Sequence, residues 1–169
     1  MPKILKFKEL YLKIHKDSFV AHGAVIAGDV TISEYSGIWF NCVLRGDVNP
    51  ITIGSGTNIQ DGTIVHTSRF DGATSIGNNI TIGHLALIHA CTIKDNAFIG
   101  MQSTIMDKVI IEEYAFIAAG SLVTPGKIVK SRELWAGSPA KFIRKITENE
   151  AIFMQDNIQN YIDLAKEYK

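Results

Sequence analysis

Large aliphatic side chains recur at every sixth residue over most of the chain. They stand at Ile14, Val20, Ile26, Ile32, Ile38 and Leu44, and after a small insertion around Asn49 and Pro50 they resume at Ile53, Ile59 and Val65. A longer interruption runs from Ser68 to Ser75. The beat then returns at Ile76, Ile82 and Ile88, shortens once to five, and continues through Ile93, Ile99, Ile105, Ile111, Ile117 and Val123. Four residues after most of these stands a small or β-branched residue, among them Ala24, Ser36, Cys42, Thr57, Thr63, Thr92, Ser103 and Ala115. A period of six fits neither an amphipathic helix nor an alternating strand. It predicts a unit of short strand plus corner, repeated three times per turn and stacked as a parallel β-helix of triangular section. The aliphatic points inward, and the small residue lets the chain bend close to the axis. Spacing alone does not set the hand of the coil.

The beat is lost from Ser131 onward, which divides the chain into a β-helix over residues 1–130 and an exit segment over 131–169. Trp135-Ala136-Gly137-Ser138-Pro139-Ala140-Lys141 reads as a turn out of the solenoid. Thr147-Glu148-Asn149-Glu150 is a capping box, with the hydroxyl at the N-cap and Glu150 at N3. The helix it opens carries Met154, Ile158, Tyr161, Ile162 and Ala165 on one stripe, so it should lie along a face of the solenoid. The fold expected is all-β with one C-terminal α-helix.

Composition mainly excludes. The 169 residues, 46% hydrophobic, suffice for one domain with a proper core, and 14 glycines point to many tight corners. Net charge is zero and Lys and Arg are spread along the chain, so nothing suggests a nucleic-acid partner. No apolar run approaches the ~20 residues that span a membrane, and the first residues make a poor signal peptide. Cys42 and Cys91 lack metal-type spacing and read as buried free thiols, which fits a reducing, cytoplasmic location.

The remaining chemistry lies in the histidines. Residues three units apart stack on one face of such a prism, about 4.8 Å from coil to coil. If Val65 to Ile76 counts as one unit with an insertion, Val65 and Ile88 share a face in adjacent coils. His66 and His89, each directly after its aliphatic, then point outward together, close enough for both imidazoles to reach one ion at ~2.0–2.1 Å. Arg45 falls one coil above His66. His84 belongs to the Ile82 unit on a different face, with Gln60 and Asp61 one coil before it. Within one chain His84 is badly placed to join the pair, but a second copy can present its Gln60–Asp61–His84 surface to it. Such a heterologous contact closes as a ring, and three is the natural count for triangular columns. His15 and His22 lack this convergence and read as surface residues.

Arg45-Gly46-Asp47, Asn58-Ile59-Gln60-Asp61-Gly62, His66 and the stretch Gly83-His84 to His89 together resemble the γ-class carbonic anhydrase-like proteins. The resemblance covers roughly residues 10–168 and is far more specific than the hexapeptide beat. It implies a left-handed parallel β-helix and a homotrimer. It also implies zinc or ferrous ion, held at each interface by His66 and His89 of one chain and His84 of its neighbour; three imidazoles suit cobalt as well. Three neutral nitrogens with an open coordination position lower the pKa of a bound water to about 7, giving a hydroxide that converts CO2 to bicarbonate. Gln60 resembles the glutamine that orients the reacting oxygen. Arg45, Asp47 and Asp61, with Asn58 nearby, match a charge cluster across the subunit contact, and Tyr161 a tyrosine that reaches the site from the C-terminal helix. One departure is clear. The acidic loop of the best-characterised member is missing: Val48 replaces a glutamate, and Thr67-Ser68-Arg69-Phe70-Asp71-Gly72 carries none. That predicts slow proton release rather than loss of metal binding.

Two other classes share the scaffold. An acyltransferase or acyl-CoA thioesterase would use the same coils, and the Gly137-Ser138-Pro139-Ala140-Lys141 exit is common among acyltransferases. A non-catalytic metal-binding scaffold is the third reading.

Overall fold

A computed structural model describes all 169 residues. The chain winds as a parallel β-solenoid of about seven turns, closed by one C-terminal helix. The periodic aliphatics form its axis. Ile26, Leu44, Val65, Ile88, Ile105 and Val123 stack in register on one face, Ile38, Ile59, Ile82, Ile99 and Ile117 on a second, and Ile32, Ile53, Ile76, Ile93 and Ile111 on the third. All are buried and belong to one continuous core cluster. Each removes a side chain worth about 1.5–3 kcal/mol from water, so the short strands are held by their stacking rather than by their length.

The small residues sit two places before each aliphatic, at the inside of the corner. Their hydroxyls tie coil to coil: Ser36 Oγ donates to Gly54 O at 2.6 Å, Thr57 Oγ1 to Gly77 O at 2.8 Å and Thr63 Oγ1 to Gly83 O at 3.0 Å. A polar side chain is therefore tolerated inside because a neighbouring carbonyl satisfies it. Counting backward rather than forward corrects one expectation. Thr92 is exposed, and the inward position before Ile93 is taken by Cys91. Ala90, with φ 44°, turns the corner one residue early there.

Left-handed residues mark the corners in columns. Gly23, Asn41, Gly62, Leu85, Gln102 and Gly120 stack at one corner with φ between 58° and 78°. Leu85 adopts this conformation at a cost of roughly 1–2 kcal/mol, which the coils on either side over-determine.

The solenoid also extends beyond the expected boundaries. Lys3–Leu5 pairs with residues 25–27 and begins a turn before Ile14. At the other end the beat persists past Ser131. Val129 and Trp135 fill the next inward positions, and Glu133–Gly137 pairs parallel with Phe116–Ile117. The segment 135–141, expected as a turn out, is a hairpin in which Glu133–Gly137 folds antiparallel onto Ala140–Lys145. Both cysteines are buried and free.

Thr147 caps the helix Glu148–Glu167 and both hydrogen bonds of the capping box are present. Ala151, Met154, Ile158 and Ala165 are buried, and Tyr161 and Ile162 half-buried, as the helix lies along the second face. Asn157 reaches that face and accepts a 2.9 Å hydrogen bond from Thr81. The first face, which carries His66 and His89, is left uncovered. No helix is long and apolar enough to cross a membrane.

Candidate metal centre

His66 and His89 each end a strand of the first face, Ile64–His66 and Leu87–His89, and are register partners in adjacent coils. Arg45 pairs with His66 one coil above. Stacking fixes the backbones, and the imidazoles lean together until His66 Nδ1 and His89 Nε2 lie 3.2 Å apart.

The far nitrogens are both held by carboxylates. His66 Nε2 lies 3.0 Å from Asp47 Oδ1, and His89 Nδ1 lies 3.1 Å from Asp107 Oδ1. An ionised carboxylate only accepts, so each of these nitrogens carries the proton of its ring. With both rings neutral, the facing nitrogens, His66 Nδ1 and His89 Nε2, are then both lone pairs. Two lone pairs at that distance repel unless a cation lies between them. Two nitrogens bound to one tetrahedral ion at ~2.0–2.1 Å stand about 3.3 Å apart, so spacing and donor chemistry both fit a metal.

His84 lies elsewhere, as the unit count requires. It sits past Thr81–Ile82 at the corner between the second and first faces, so the breadth of the first face separates it from His66 and His89. One coil before it, Asp61 Oδ2 lies 2.7 Å from His84 Nδ1. His84 thus also has a carboxylate beside one ring nitrogen, as an ion-pair contact. No group of three or more His, Cys, Asp or Glu within the single chain is arranged to hold a metal ion.

The flanking residues divide between the two edges. Asp47 is paired with Arg45 as well as His66. Partial burial pushes its carboxyl upward, but the hydrogen bonds from His66 and Arg45 outweigh this and hold it below the usual carboxylate range. Gln60 and Asn58 are buried on the other edge. Gln60 Nε2 donates to Asn58 Oδ1 at 3.0 Å, and Asn58 Nδ2 donates to Thr81 Oγ1 at 3.0 Å, a chain that ends on Asn157 of the helix. Asp61 also accepts from the backbone N–H of Phe40 at 3.3 Å. Tyr161 packs edge-on against Trp39, with ring centroids 5.2 Å apart. Burial first, and the Asp61 charge second, raise its phenol above the ordinary value. The structure therefore groups Arg45, Asp47, His66 and His89 at one edge and Asn58, Gln60, Asp61, His84 and Tyr161 at the other. His15 accepts a hydrogen bond from the Asp17 backbone N–H, and His22 is exposed.

Sequence reasoning missed Asp107. The signal was available, since Asp107 follows Ile105, the unit directly below Ile88, by two residues. The loop that follows His66 and leads to Thr74–Ile76 is also tied down. Ser68 and Gly72 bridge its base, Asn49 donates to Ser68 O at 2.7 Å, and Lys108 pairs with Asp71 at 2.5 Å.

Comparison with known proteins agrees with this architecture. Residues 90–125 match the family described as bacterial transferase hexapeptide (six repeats). Gamma carbonic anhydrase 2, mitochondrial, of Arabidopsis thaliana is 49% identical over 158 residues, which are 90% of this chain and 57% of that protein. A carbonic anhydrase of Geobacillus kaustophilus is 41% identical over 166 residues, covering 98% of this chain and 91% of that protein. The crystal structure of a hexapeptide transferase family protein from Anaplasma phagocytophilum superposes with a TM-score of 0.94 at 49% identity, over 98% of this chain and 97% of that one. The chain spans less than two thirds of the length of the plant relatives it matches (57%, 58% and 61%). On its fold and its extended likeness to these relatives, the chain belongs to the γ-class carbonic anhydrase-like family of hexapeptide-repeat proteins.

Proposed function

We propose that this protein hydrates CO2 to bicarbonate at a metal site completed between copies of the chain in a homotrimer. One observation carries the reading: the approach of His66 Nδ1 and His89 Nε2 to 3.2 Å, with a carboxylate on the far nitrogen of each ring. His84, with Asp61 on its Nδ1, is the third donor and comes from the neighbouring copy. Three imidazole nitrogens suit zinc, ferrous or cobalt ion alike. When bound, such an ion supplies a water acidic enough to ionise near neutral pH.

The chain's own residues supply position and exclusion. Gln60 has its amide N–H engaged by Asn58, so its Oε1 remains an acceptor that can orient a proton-bearing oxygen. Asp47 keeps the His66 proton on Nε2 and is itself anchored by Arg45. The outward residues of the first face, Val25, Val43, Ile64 and Leu87, form an apolar ladder between the two edges, which continues through Thr104 to Leu122. Ile64 is 45% exposed and Leu87 36%. A second copy seated on this ladder removes it from water and brings its His84 corner to the His66–His89 edge.

The test is metal analysis of anaerobically purified protein, followed by CO2 hydration, with His84→Ala beside the wild type. The expected result is bound metal and turnover in the wild type, with both lost in His84→Ala. Metal held at full occupancy by His84→Ala overturns the shared site. A metal-bearing wild type inactive on CO2 but active on a thioester supports the second reading, acyl-thioester chemistry, which is favoured by the transferase label of the structural neighbour.

A further inference from the structure

We infer that Asp107 is the positioning residue of His89: it fixes the imidazole proton on Nδ1 and so keeps the Nε2 lone pair turned toward the metal site. The inference rests on the metal-centre reading above and adds to it a residue that no ligand motif contains. Ile88 and Ile105 are register partners, which puts Asp107 at the corner one coil below His89. Its Oδ1 is 3.1 Å from His89 Nδ1 and its side chain is 18% exposed.

Other acidic residues of the solenoid show what a structural carboxylate does here. Asp95 accepts from the backbone N–H and the side chain of Asn78, and Glu112 from the backbone N–H of Ser131 and from Lys130. Both clip one coil to the next. Asp107 also reaches one coil back, but the one group its side chain hydrogen-bonds is a ring nitrogen of His89, with no backbone N–H among its partners, and the neighbouring Lys108 is engaged by Asp71 instead. A carboxylate bonded only to a ring nitrogen also sets the tautomer of that ring. Without it the imidazole proton is free to move to Nε2, where it would occupy the lone pair the metal needs.

Two measurements on the full-length protein test this. The first is Zn2+ affinity, by competition with a chromophoric chelator, for the wild type, Asp107→Ala, Asp107→Asn and His89→Ala. The expected result is a loss of about 10- to 100-fold in Asp107→Ala, with Asp107→Asn closer to wild type because its amide oxygen still accepts from Nδ1–H. The second is the long-range 1H–15N spectrum of the metal-free protein at mildly alkaline pH. It should place the His89 proton on Nδ1 in the wild type and on Nε2 in Asp107→Ala, a change that a purely structural role would not cause. Should Asp107→Ala fail to fold, the isosteric Asp107→Asn carries both measurements and should retain the Nδ1–H form. Unchanged affinity in Asp107→Ala alongside loss in His89→Ala overturns the positioning role and leaves the metal centre standing. Equal Zn2+ affinity in His89→Ala and wild type overturns the metal centre instead, while the tautomer spectrum still decides what Asp107 does to His89.

Discussion

Cys42 and Cys91 show how completely a single side chain is isolated inside this coil. Burial pushes both thiols up to about 12. Cys42 Sγ is also spent on a hydrogen bond to Gln60 O at 3.1 Å. At mildly alkaline pH each is almost wholly the unreactive thiol. Native protein should therefore ignore a thiol-specific reagent and release two equivalents per chain only on unfolding; labelling of native protein at the rate of a free cysteine would contradict this burial. Residue by residue, most of the coil was legible from the spacing, because an inward isoleucine recurs wherever the prism needs one. Thr92 was misassigned because the corner at Ala90 is one residue short, and the phase of the beat can be counted correctly only from the aliphatic that follows. Asp107 escaped for a different reason. An aspartate at a corner is the commonest of turn residues, and only the distance to His89 distinguishes this one from Asp95.

At the scale of elements, the C-terminal helix shows what a local motif can and cannot decide. Thr147 and Glu150 form the capping box that their spacing implied. The spacing did not reveal that Arg144, on the preceding hairpin strand, grips both oxygens of Glu150 at 2.8 Å. Those bonds, with the backbone N–H of Thr147, lower the Glu150 carboxyl from 4.5 to about 2. A depressed folded-state pKa means stability that is fully present above 4.5 and drains away as pH falls toward 2. Glu150→Gln should thus unfold at lower denaturant concentration at neutral pH and show a shallower acid transition when titrated, both followed by helical circular dichroism. Removal of the carboxylate by Glu150→Ala should cost about 1 kcal/mol by loss of the cap, measured by denaturant unfolding. An identical acid transition in wild type and Glu150→Gln would remove the basis for this linkage. The hairpin itself was hidden because Trp135 takes an inward slot that the rest of the chain gives to aliphatics. A ring fits at the last coil, where the prism has no next layer to match.

At the scale of the whole molecule, the helix covers one face and leaves the histidine face bare with its apolar ladder. Replacing Leu87, which faces outward on the apolar ladder, should separate assembly from folding. Leu87→Lys is expected to give a folded monomer by light scattering, with an unchanged circular dichroism spectrum and no retained metal. A metal-bearing monomer would show that one chain suffices. The unit count alone separated His84 from its near neighbour His89, because six-residue stacking converts sequence distance into geometry. The direction in which each ring points had to come from the fold, since it depends on carboxylates placed by other coils. The loop that follows His66 has a further consequence. It leaves and re-enters the coil through a base closed by Ser68 and Gly72, so its length has no bearing on whether His66 lies over His89. Insertions there cost little loop-closure free energy and disturb no layer of the core. Chains of this fold can therefore lengthen or trim this segment, changing the charge it carries, while the stacking of His66 over His89 is inherited intact.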